Sequence, residues 1–202
     1  MSEGLDGVIE FLEANKKTAA STRQITALLL APLAEEVQKL GGPPPVEKSA
    51  RKRSDPHMQF LARQCFDLPE KLPIRIENAL ANRSPASSLR LEFVVVGEAE
   101  EHSGDTIPPH LVWGFRLAGG ADRQDAEAGA YRWMRSVMPN GENRVSILEI
   151  RRIPGSRGKS WVRHQLGREV FKDDLKTEFE NLEDLVQVAA QDITDLYKIL
   201  GD

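Results

Sequence analysis

Leu89-Arg90-Leu91-Glu92-Phe93-Val94-Val95 sets apolar residues at every second position, and Leu111, Trp113, Phe115 and Leu117 repeat the pattern further on. A period of two is that of a strand with one face in a core, so the two stretches predict neighbouring strands of a half-buried sheet. Downstream, Arg144 to Ile153 and Ser160 to Phe171 supply a third and a fourth strand, the last interrupted at Gly167. Leu182, Leu185, Val186, Ala189, Ile193, Leu196 and Leu200 then recur at helical spacing and form the longest apolar stripe in the chain.

Other helices frame these strands. Asp55-Pro56 has the form of an N-cap and first helical residue, with Phe60, Leu61 and Cys65 facing inward and Asp67-Leu68-Pro69 closing the helix. A short helix through Ile76, Ala79 and Leu80 follows Pro73. The stretch from Asp122 to Met138 reads as a helix with Tyr131, Met134 and Met138 on one side. The expected domain is α+β: an antiparallel sheet of about four strands in ββαββα order, with helices on one face, over residues 56–202.

Before it stands a small helical head, residues 1–40, read as a hairpin of two helices. Leu5, Val8, Ile9 and Leu12 mark the first, and Ile25, Leu28, Leu29, Leu33, Val37 and Leu40 mark the second. Ser21 and Gln24 fit a capping box, and Pro32 is expected to kink or divide the second helix near Leu30. Residues 41–55, with Gly41-Gly42, Pro43-Pro44-Pro45 and Arg51-Lys52-Arg53, read as a Pro-rich basic linker. Two helices this short cannot make a large core alone, so their apolar stripe predicts contact with the main domain, a second copy or another protein.

Composition excludes several classes. The 202 residues are 40% hydrophobic and 29% charged, which fits a soluble globular protein. No run approaches the roughly 18 apolar residues of a membrane helix, and Met-Ser-Glu-Gly lacks the basic start of a secretory signal, so the expected compartment is cytoplasmic, with no membrane partner. Cys65 alone forms no internal disulfide and no multi-cysteine zinc site; among apolar neighbours it reads as an inert core thiol.

Charge is the strongest functional signal. From Arg144 to Lys172 eight basic residues stand against two acidic ones, a net of +6, whereas from Asp173 to Asp202 nine acids face two bases, a net of −7. The basic block holds Arg151, Arg152, Arg157, Lys159, Trp161, Arg163 and Arg168 around the Pro154-Gly155 turn, and these are the residue types that contact phosphates and stack on bases. The same block can instead neutralise the acidic last helix. The glycine spacing before Lys159-Ser160 lacks the separation of a Walker A loop, which argues against ATP as cofactor.

Two other constellations are weaker. His102, Asp105 and His110 are metal-competent within one loop but match no established zinc or calcium spacing. Glu98, Asp105 and Glu149-Ile150-Arg151 loosely imitate a metal-dependent phosphodiesterase, with arginine where such sites usually carry lysine. No nucleophile elbow is present, and no cofactor is called for. The sequence therefore points first to a non-enzymatic adaptor binding a protein partner or itself through the N-terminal helices. Its alternatives are nucleic-acid binding by the 151–168 hairpin and a metal-dependent nuclease.

Overall fold

The structure is a computed structural model that describes residues 3–46, 60–74, 89–100, 106–120, 146–156 and 159–201. The expected helices at 76–80 and 122–138, the basic part of the linker, and His102, Asp105 and Arg157 lie outside the described residues.

The alternating stretches are strands: β3 is Leu89–Val96 and β6 is His110–Gly120, paired antiparallel with Phe93 opposite Trp113. They sit inside an antiparallel sheet of six strands in the order β1-β2-β3-β6-β8-β7, where β1 is only Pro45–Val46, β2 is Phe60–Phe66, β7 is Ser146–Ser156 and β8 is Lys159–Phe171. A separate two-stranded ribbon, β4 (Ala99–Glu100) with β5 (Thr106–Ile107), fills the connection between β3 and β6. The α+β class is therefore as expected, with more strands than the four anticipated.

The stretch at residues 60–66 is a strand and not the expected helix. Leu61 and Cys65 are four apart, a spacing that fits a helix and two strand periods equally well. What decides between them is the open edge of β3, whose backbone groups need partners. Residues 62–66 supply them, from Ala62 opposite Val95 to Phe66 opposite Leu91, with a register shift between Phe60 and Ala62. Leu61, Ala62 and Phe66 are buried in consequence.

Gly167 does not interrupt β8. The strand runs through it, opposite Gly114 of β6. A Cβ at residue 167 would overlap the Trp113 carbonyl oxygen and stand 2.9 Å from the Gly114 Cα. Both obstacles are backbone, so no rotamer change relieves them. Gly167→Ala is expected to destabilise the protein by about 1–3 kcal/mol or more, read from a shift in the urea midpoint. An unchanged midpoint would mean that the two strands are not in this register.

The head consists of α1 (Glu3–Ala14), then α2 (Ala19–Ile25), a π-helical turn (Thr26–Leu30) and α3 (Ala31–Lys39) in one continuous run. Thr18, not Ser21, is the N-cap: its hydroxyl accepts from the Ser21 N–H at 3.0 Å, while Ser21 Oγ accepts from the Thr18 N–H at 2.9 Å. Pro32 does not divide the helix. The chain widens before it, the Ala31 N–H reaching the Thr26 carbonyl, and this wide turn takes up the ring that a regular helix would set against residue 28. At the far end Gly41, at φ +74°, lets the Gly42 N–H reach the Val37 carbonyl at 2.8 Å and the Gly41 N–H that of Gln38 at 3.0 Å, a Schellman stop.

After β8 a 3₁₀ turn (Lys172–Asp174) and α4 (Leu175–Glu178) lead into α5 (Leu182–Gly201). Leu185, Ala189, Ile193, Leu196 and Leu200 of α5 are buried in one cluster with Leu91, Phe93, Val95, Leu111, Trp113 and Phe115 of the sheet. The same cluster takes in Leu5, Val8, Leu12, Ile25, Leu29, Leu33 and Val37. The apolar stripe of the head is thus spent inside this core, and Lys176–Asp6 (2.6 Å) and Lys172–Glu13 (3.1 Å) tie α1 to the start of the acidic segment. Glu13 and Asp173, hydrogen-bonded to the Lys172 ammonium, raise its pKa.

Candidate nucleic-acid interface

The alternation of the strands divides the charged residues between two faces. Leu91, Phe93, Leu111, Trp113 and Val170 belong to the face under α5, and Arg63, Cys65, Glu92, Val94, His110, Val112 and Glu169 to the far face. Cys65 is accordingly half-buried and not a core thiol: its Sγ lies 3.8 Å from Glu92 Oε2, and Arg63 Nη1 lies 3.7 Å from the same oxygen.

Under α5 the decisive residue is Asp192, 2% exposed. Its Oδ2 accepts a hydrogen bond from Trp113 Nε1–H at 2.9 Å and stands 3.7 Å from Arg168 Nε. The Arg168 guanidinium also lies 5.9 Å from the centre of the Trp113 ring and 4.0 Å from Glu178. Trp113 stacks on Phe93 at 5.4 Å between centroids and meets Phe179 at 6.4 Å. A helix acid, a strand arginine and an indole thereby fix α5 on the sheet. Arg168, which the charge pattern grouped with the phosphate-contacting set, is engaged here with the acidic helix.

The remaining basic residues follow from register. β8 pairs with β6 without a break from His110 opposite Phe171 to Gly120 opposite Trp161, so the odd positions of β8 share the face of His110, Val112 and Gly114. Arg163 and Trp161 are odd positions and fall on the far face, and Arg151 and Ile153 are their respective partners on β7. Arg152, opposite Val162, falls on the α5 side. Lys159 pairs with Ser156 at the hairpin end.

A feature invisible in the linear sequence then emerges. Arg90 of β3 is the direct partner of Arg116 of β6, and Arg116 is in turn opposite Gln165. The next row toward the hairpin is Ala118, Arg163 and Arg151. The far face therefore carries two adjacent rows in which arginine opposes arginine, contributed by four neighbouring strands. Glu92 stands one row away, opposite Gly114, and is buried on this face together with Val94, Val96, His110 and Val112.

Of the metal-competent set only His110 lies among the described residues. His110 is buried, with Nδ1 2.8 Å from the Pro108 carbonyl oxygen, Nε2 3.2 Å from Glu169 Oε1, and the Phe171 ring at 5.4 Å. No group of three histidine, cysteine or acidic side chains able to hold a metal exists among the described residues. Glu98 is exposed just past the Val96 end of β3, with its N–H donating to Asn15 Oδ1 at 3.2 Å. Glu149 lies on β7 between Leu148 and Arg151, which pair with Gln165 and Arg163, so the backbones of the two acids stand about 27 Å apart along the strands alone. No helix among the described residues is long and apolar enough to cross a membrane.

No protein-family model matches this chain, and no curated protein or solved structure matches it either.

Proposed function

We propose that the chain binds nucleic acid through the basic hairpin of β7 and β8. The observation that supports this most is the β7–β8 pairing, which sets Arg151 opposite Arg163 within the segment of net charge +6. Like charges directly opposite each other on a sheet destabilise it, each pair by a few tenths of a kcal/mol up to about 1 kcal/mol, and a bound polyanion reverses the sign of that cost. Arginine's planar fork matches the geometry of phosphate oxygens, which suits an arginine-rich hairpin to a polyanion.

A protein-binding reading through the head has less to work with. The leucines that would have carried it are part of the chain's own core. The overall charge of −4 is no obstacle, since the last 30 residues carry a net −7 and the rest of the chain is net positive.

The two faces provide the test. Arg151→Gln with Arg163→Gln removes two charges from the far face, and Arg152→Gln with Arg168→Gln removes two from the hairpin and the α5 side. The first pair is expected to weaken binding to a labelled oligonucleotide on the order of tenfold at low salt, and the second to leave it near wild type, with melting temperatures recorded in parallel. Equal losses in both pairs would show that only net charge matters and that the register assigns no binding face.

A further inference from the structure

We draw no further inference here: the strongest candidate, the polar cluster on the far face of the sheet in which Arg63, Cys65, Glu92, His110 and Glu169 lie beside the buried Val94, Val96 and Val112, carries nothing because nothing in the structure shows what covers it.

Discussion

Asp192→Ala is expected to lower the folding stability by about 3 kcal/mol, among the largest effects of any single substitution on α5. The carboxylate is 2% exposed, accepts from the Trp113 indole at 2.9 Å and faces the Arg168 guanidinium at 3.7 Å. Removing it strands a buried N–H, at about 1–3 kcal/mol, and leaves a cation without its nearest counter-charge. Breaking a fully buried ion pair costs about 3–5 kcal/mol. The low end applies here because the Arg168 side chain keeps 20% of its surface in water and has Glu178 at 4.0 Å. Because the cost comes from stranded partners, Asp192→Leu combined with Arg168→Met should recover much of the loss, while Asp192→Asn, which keeps an acceptor for Trp113, should lose less than alanine. Urea denaturation checks all three. A drop below about 0.5 kcal/mol for Asp192→Ala would mean that α5 does not seat on Trp113 in this way.

The sheet and the last helix were legible because their side chains obey one rule over many residues. Leu89 to Val95 alternates, Leu111 to Leu117 alternates, and the stripe from Leu182 to Leu200 is helical throughout. Phe60 to Phe66 was misread because two apolar residues four apart satisfy both periods, and only the hydrogen-bonding demand of β3 decides between them. Gly167 looked like a break because glycine is usually punctuation. Here it is a close approach of two backbones, which depends on a partner strand more than fifty residues earlier in the chain.

The candidate site was half legible for the same reason. The basic block from Arg151 to Arg168 stands out in the sequence, yet its members belong to two faces. Arg168 turns to Asp192 and Trp113, whereas Arg151 and Arg163 are joined by Arg90 and Arg116 from strands where a single arginine carries no signal. Asp192 left one trace: an acid between Ala189, Ala190 and Ile193 on the inward side of an apolar stripe requires a polar partner in the core. Which tryptophan and which arginine would meet it depended on register, which local sequence does not encode.

The most direct test of the arginine rows is the salt dependence of oligonucleotide binding in the wild type and in Arg90→Gln/Arg116→Gln/Arg151→Gln/Arg163→Gln. Each phosphate neutralised on a single strand contributes about −0.7 to the slope of log affinity against log salt, so the four-residue variant should show a slope shallower by about 3. Its affinity at low salt should be reduced by orders of magnitude, with the urea midpoint recorded in parallel. The same slope in both proteins, or no salt-sensitive binding by the wild type at low ionic strength, would contradict a nucleic-acid-binding face on this sheet.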